Sequence, residues 1–292
     1  MKIGLNMQIT DTTPHPMDIA RKCEAWGFES MFVNEHVLVP VNCKTPYYFG
    51  RPGDPIPEYY AHFPEPFIAL AMAAAVTKNI KIGTCVSLVA EHEPIALAKA
   101  IATLDFLAGG RFVFGVGGGW LRHEAEIMGV DFPRRWRMVV EYLRAMKEIW
   151  TNEEASFEGE FVSFPPVKCY PKPASKPHPP IHIGAGDHKG PCDRALRNTV
   201  AVADGWMPTL MSPQRLATEL ATLQRMCLEA GRNFGSLEIS IALGWQYTKA
   251  QARTLIKEYG AIGVHRIIPT LGGTAFDEDP DIIDKVADAF LG

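Results

Sequence analysis

His36 follows a short β run and has a carboxylate, Glu35, directly before it. An imidazole titrates near neutrality and a carboxylate tunes it, so this pair is a candidate proton donor or acceptor. A packed strand-end histidine is the competing use. His92, in Glu91-His92-Glu93-Pro94, reads instead as a residue of a helix start, because Pro94 suits a first helical turn. Glycines recur after β runs, notably as Gly117-Gly118-Gly119-Trp120 and Gly184-Ala185-Gly186-Asp187. They remove side chains where a flat or phosphorylated ligand needs close backbone approach, although glycines also simply end strands. The second run leads toward a helix near Cys192 with Lys189 and Arg194 close by. Free helix-start amides and a basic side chain would seat a phosphate there; a plain β-to-α loop is the alternative.

Other chemistries lack their parts. Metal-assisted hydrolysis in a barrel needs convergent imidazoles and carboxylates, but the first strand offers Asn6, Met7 and Gln8. His178 and His182 are separated by Pro179-Pro180, which prevents the one-face helical geometry of that spacing. Neither a Gly-x-Ser-x-Gly elbow nor a Walker loop occurs. Cys23, Cys43, Cys85, Cys169, Cys192 and Cys227 are scattered without zinc-like spacing and read as reduced structural thiols.

The elements that must position these residues alternate. β runs at 2–8, 28–33, 80–88 and 111–117 are interleaved with helical patterns at 16–26, 67–78 and 94–107. A helix follows Pro133, and a small hairpin is expected over 155–164 around Glu158-Gly159. Seven prolines between 165 and 180 keep that stretch out of helices and central strands. β runs at 181–183, 205–209, 237–243 and 264–269 then alternate with helices at 192–203, 213–230, 249–259 and 280–291. Eight β/α units predict a single (β/α)8 TIM barrel over 1–292, with a lid-like loop at 37–66 after the second strand and an insertion at 154–180. The rival, a doubly wound dinucleotide sheet, is weak: the fingerprint at 115–120 ends in Trp120 and lies at the fourth strand. The lid-like loop carries Tyr47, Tyr48, Phe49, Tyr59, Tyr60 and Phe63, which suits covering a hydrophobic substrate or a subunit contact.

The 292 residues are 47% hydrophobic, with 29 basic against 33 acidic side chains and a net charge of -4. That balance supplies no broad basic surface for nucleic acid. The longest apolar run, 67–76, is too short to span a bilayer, and 1–5 reads into a strand instead of a signal peptide, so the expectation is a cytoplasmic protein.

At this level of detail the chain resembles the bacterial luciferase-like oxidoreductases, flavin- or deazaflavin-dependent β/α barrels. The resemblance is carried by residues 27–33 into Glu35-His36, by Ile82-Gly83-Thr84, by 98–105, by 110–120 with Glu124, and by Ala203-Asp204-Gly205-Trp206. It implies a flavin-type ring across the strand ends near Asn6, His36, Thr84, Cys85, Val86, Gly117, Gly118, Gly119, Trp120 and His123, with its phosphate near Gly184, Ala185, Gly186 and Asp187. It also implies a non-prolyl cis peptide at Cys85-Val86. The similar branch uses coenzyme F-420, because Glu35-His36 sits where those enzymes carry an acid-His pair, usually with Asp at position 35. Their sugar-phosphate dehydrogenases place a carboxylate where this chain has Trp120 and an amide where it has His123, so that acid-base scheme does not carry over. The implied activity is F-420-dependent hydride transfer with a small hydrophobic organic substrate, His36 and Glu35 being the catalytic candidates. Two alternatives stand beside it: a reduced-FMN monooxygenase using oxygen, and a ligand-binding barrel without turnover. A separate cofactor reductase and a homodimer are the implied partners, with Trp136 and Trp150 read first as a core stripe and second as a subunit contact.

Overall fold

The computed structural model describes every residue except Pro52, Asp187, His188 and Pro191. Among the described residues the strands are β1 (Lys2–Met7), β2 (Ser30–Val33), β3 (Lys81–Thr84), β4 (Ser87–Leu88), β5 (Phe112–Gly117), β6 (Ala155–Glu158), β7 (Ser163–Val167), β8 (Ile181–Ile183), β9 (Gly205–Trp206), β10 (Glu238–Gly244) and β11 (Arg266–Leu271). The helices are α1 (Pro16–Trp26), α2 (Pro66–Val76), α3 (Pro94–Leu107), α4 (Arg122–Ile127), α5 (Arg135–Thr151), α6 (Asp193–Val202), α7 (Pro213–Glu229), α8 (Lys249–Ala261), α9 (Ala275–Glu278) and α10 (Ile282–Leu291). β1 lies parallel between β2 and β11, the sheet runs on through β10, β9 and β8 to β5, and β5 pairs back with β3. The result is a closed parallel barrel of eight strand positions inside a ring of helices, a TIM barrel.

Local sequence explains most of the alternation. The strands are short apolar runs buried along nearly their whole length, as in Leu5, Met31, Ile82, Phe114 and Ile267, which a parallel sheet covered on both faces requires. Helix starts follow one recipe: Pro16, Pro66, Pro94 and Pro213 fill first-turn positions, and the residue before each offers a side-chain acceptor to the free amides. Glu93 takes the amides of Ile95 and Ala96, for example, and Thr248 with Gln251 forms a reciprocal capping box for α8.

Three departures from the sequence reading matter. The third barrel strand, expected unbroken over 80–88, is split into β3 and β4 by Cys85 and Val86, whose shared peptide bond is cis. Gly83 lies opposite Val113 but Ser87 lies opposite Val116, so the split strand carries one extra residue, a bulge that ends regular pairing beside the mouth of the barrel. The sixth strand stops at Trp206, with only Thr209 bridging to Ala242, because Pro208 has no amide to donate. The short helices α4 and α9, not foreseen, both lie after strand ends. The hairpin is β6 with β7 in antiparallel register, and Pro165 and Pro166 are tolerated in β7 because it is an edge strand. No helix among the described residues is long and apolar enough to cross a membrane.

At the amino-terminal end of the barrel, Arg266 is fully buried. It donates from Nε to Glu29 at 2.7 Å and from Nη2 at 2.9 Å, and it also pairs with Glu238. This closes the floor with paired charges and leaves the opposite end open.

Candidate active site

The carboxyl ends of the strands surround a cavity of about 920 Å³, lined from every barrel position. That lies near the upper end of the roughly 300–1,000 Å³ typical of small-molecule sites. Asn6, Glu35, His36, Cys85, Val86, Gly117, Gly118, Gly119 and Trp120 line it, as do Gly184, Ala185 and Gly186. Asp187 lies outside the described residues. Two expected contacts are not in the lining. Thr84 is fully buried and spends its hydroxyl on the Gly115 carbonyl at 2.6 Å, because it points between strands instead of past their ends. His123, on α4, hydrogen-bonds through Nδ1 with Thr45 at 2.7 Å and tethers the long loop from outside.

Glu35 and His36 do not form a pair. Each finds a different partner. The Glu35 carboxylate accepts from His92 Nε2 at 2.6 Å and from the Leu88 amide at 2.6 Å. Burial alone would raise its pKa, but the His92 hydrogen bond and charge, with further hydrogen bonds, outweigh that and hold Glu35 below the usual carboxylate range. His92 rises in turn, since Glu35 outweighs the burial that would lower it. His36 Nδ1 lies 2.6 Å from Glu124 Oε2, and the same carboxyl group accepts the amides of Val37 at 2.6 Å and Leu38 at 3.2 Å. Glu91, also buried, is pushed up to about 9 by burial and then by the charges of Glu124 and Glu35. It is a neutral acid at neutral pH.

The strand-end glycines make room for protein before they make room for ligand. A Cβ on Gly117 or on Gly184 would run into the Val86 side chain, and one on Gly118 would come within 2.6 Å of the Trp136 ring. Val86 thus sits as a shelf between the fourth and fifth strand ends. Trp136, expected in a core stripe or a subunit contact, lines the cavity, whereas Trp150 is buried and donates to the Ala98 carbonyl at 2.9 Å. Burial pushes the Cys85 thiol up to about 12, so it lines the site as a neutral group.

Polar groups converge on the cavity at two places. Asn6 and Asn34 line it, and the side-chain oxygen of each is buried without a partner, while Asn34 Nδ2 is held by the Cys85 carbonyl at 2.7 Å. Arg135, Arg194 and Arg197 also line it. Burial, and after it the charge of Arg194, pulls the Arg135 guanidinium below its ordinary value, as expected where cations crowd. Arg194 and Arg197 stand on one face of α6 and have no ion pair among the described residues. Sequence reasoning had Arg194 as a neighbour of the phosphate loop and missed Arg135 and Arg197. The i, i+3 spacing on α6 was the available signal for Arg197; Arg135 is brought in only by packing.

The loop after β2 covers the mouth with aromatic rings. Tyr47, Tyr48, Phe49, Tyr59 and Tyr60 line the cavity. The Trp120 ring lies 5.5 Å from His36 and 5.9 Å from Tyr47, with Tyr60 5.1 Å from His36. The Tyr47 and Tyr60 hydroxyls are 3.2 Å apart, and Lys189 donates to the Tyr48 carbonyl with its ammonium 4.9 Å from that ring. His36 therefore sits in an aromatic, poorly hydrated wall.

A barrel with its cavity at the carboxyl strand ends, a shelf between glycines and an aromatic cover defines a class of small-molecule enzyme scaffold. The family model of luciferase-like monooxygenases matches residues 6–270, and the chain belongs to that family. It is 39% identical over 209 residues to an uncharacterized protein of Mycobacterium tuberculosis, covering 72% of each chain. It is 28% identical over 261 residues to the F420-dependent glucose-6-phosphate dehydrogenase of Kineococcus radiotolerans, covering 86% of this chain and 70% of that one. Among solved structures, the monooxygenase RslO1 from Streptomyces bottropensis shares the fold, with a TM-score of 0.74 at 20% identity over 100% of this chain and 99% of that one. The family thus joins monooxygenases and F420-dependent oxidoreductases, which places this chain among oxidoreductase relatives.

Proposed function

We propose that the protein is an F-420-dependent oxidoreductase that exchanges hydride with a small hydrophobic organic substrate. The observation that carries the reading is the hollow bounded by the Val86 shelf, the strand-end glycines and the aromatic wall around His36. A flat ring fits such a hollow, and the partnerless oxygens of Asn6 and Asn34 are polar atoms that require a ligand or water as partner. When bound, a deazaflavin supplies a ring carbon that gives or takes a hydride. The protein's part is to hold and shield. Val86 and Gly117 to Trp120 would hold a flat ring, and Asn6 and Asn34 would offer it polar atoms. Arg135, Arg194 and Arg197 would hold an anionic tail by charge, with Gly184, Ala185 and Gly186 leaving room beside it. His36 gives or takes a proton at Nε2, and the lid-like loop excludes water from the substrate. Glu35, tied to His92 and Leu88, supports the wall without touching the reacting atoms. Sugar phosphate is the poorer fit, because aromatic rings, Trp120 among them, make up so much of the cavity lining.

The monooxygenase relatives favour a second reading, reduced FMN with oxygen as co-substrate and a separate reductase. A side-by-side titration of the purified protein with oxidised and reduced F-420 and FMN, read by absorbance and fluorescence, separates the two. Tighter binding of F-420 supports hydride exchange; tighter binding of reduced FMN supports oxygen chemistry. Tight binding without turnover over a panel of hydrophobic carbonyl compounds would leave a ligand-binding barrel.

A further inference from the structure

Glu124 gathers three donors from the junction where β2 gives way to the lid-like loop. It lies in the first turn of α4, fully buried, with His36 Nδ1 on Oε2 and the Val37 and Leu38 amides on Oε1. The two amides are donors and share Oε1, which leaves Oε2 facing His36 Nδ1; with Oε2 as the acceptor, the shared proton belongs to the ring. In that arrangement the ring proton lies on Nδ1. Nε2, on the far edge of the ring, has no protein partner among the described residues, and His36 lines the cavity. The acidic neighbours are already committed: Glu91 holds its proton under burial, and Glu35 is engaged by His92 and the Leu88 amide.

We propose that Glu124 is a positioning residue that fixes the Nδ1-protonated tautomer of His36 and ties it to the root of the lid. The inference rests on the reading of His36 as the group that moves a proton. Its consequence is mechanical: the backbone of Val37 and Leu38 cannot swing out without loosening the carboxylate that orients His36. The proton-transferring nitrogen is then set for reaction only while the loop is seated.

The test reads the tautomer directly. Nitrogen-15 NMR of histidine-labelled protein in mildly alkaline buffer, with the His36 signals identified by their loss in His36→Gln, distinguishes a protonated Nδ1 from a protonated Nε2. In the native protein the signature of a protonated Nδ1 and bare Nε2 is expected; the opposite signature overturns the proposal without recourse to any further variant. In Glu124→Gln, a single amide oxygen cannot serve both the ring and the loop amides. The expected results are a mixed tautomer and exchange of the Val37 and Leu38 amides faster by about tenfold or more. An unchanged tautomer in Glu124→Gln overturns the proposal. Glu124→Asp, which keeps both acceptors on a shorter stem, should retain more of the native signature than Glu124→Gln. These readouts need no turnover, so failure of the redox reading and failure of this inference are seen separately.

Discussion

At His36 the proposed chemistry turns on one imidazole held among rings, and the residue-scale predictions follow from its surroundings. His36→Ala should lower turnover at saturating cofactor by about 10²–10⁴-fold, the range for loss of a positioned acid or base, while cofactor affinity moves only a few-fold. Steady-state kinetics beside a binding titration checks both; unchanged turnover would retire the proton-transfer role. Glu91 makes a separate prediction about stability. Its carboxyl keeps a proton in the fold to about pH 9, whereas its ordinary value is 4.5, so between those limits the folded chain binds more protons than the unfolded one. Stability contributed by this group is present below 4.5 and declines as pH rises toward 9. Glu91→Gln removes that decline, so the melting temperature of the variant should gain on the wild type steadily from pH 5 to pH 8 by calorimetry.

Among the elements, the split third strand and the glycines facing it form one mechanical unit. Val86 reaches into the space that Gly117 and Gly184 leave open, so the shelf depends on three chain segments at once. Gly184→Ala should destabilise the protein by roughly 1–3 kcal/mol, the usual cost of overpacking, and weaken cofactor binding with it. Trimming the opposing side chain in Gly184→Ala with Val86→Ala should recover most of the stability, because the clash is with the Val86 methyls. Denaturant midpoints of the two singles and the double form the required cycle. A Gly184→Ala variant as stable as the parent would mean that the shelf is not built this way.

For the whole molecule, the barrel is open to a cavity at one end and closed by paired charges at the other. Burial would raise Glu29 and Glu238, but Arg266 and the nearby lysines outweigh it and hold both at about 2, below the ordinary 4.5. Burial holds His182 at about 4 against an ordinary 6.5. In each case the unfolded chain binds more protons than the folded chain on the acid side, so stability rises with pH. The His182 contribution should be complete above 6.5 and lost on descending toward 4, and the two glutamates' contribution lost between 4.5 and 2. Urea melts should show a net decline below pH 4.5, because between 6.5 and 4.5 the loss from His182 is offset by the proton that Glu91 keeps in the fold. A variant with a neutral residue in place of His182 should gain on the wild type as pH falls from 6.5 toward 4.

The alternation of β and α patterns, the prolines at helix starts and the order of the strand ends were all legible in the sequence, because those signals are local and repeat with fixed periods. From them came the barrel, the aromatic loop over its mouth, and the placing of His36, Cys85, Val86, the 117–120 run and Gly184, Ala185 and Gly186 at one end. The partners were not legible. Glu124 is 88 positions from His36, and His92 is 57 from Glu35, so the adjacent Glu35-His36 looked like the pair although each side chain is engaged by a partner from a distant segment. Thr84 and His123 lie next to site residues in sequence, yet one faces between strands and the other faces the outer side of the loop. Arg135 and Trp136 reach the cavity only because α5 packs across the fourth strand end. Local spacing thus determined which elements form and which ends meet; closure of the barrel, which brings distant segments within hydrogen-bonding reach, decided what each side chain touches.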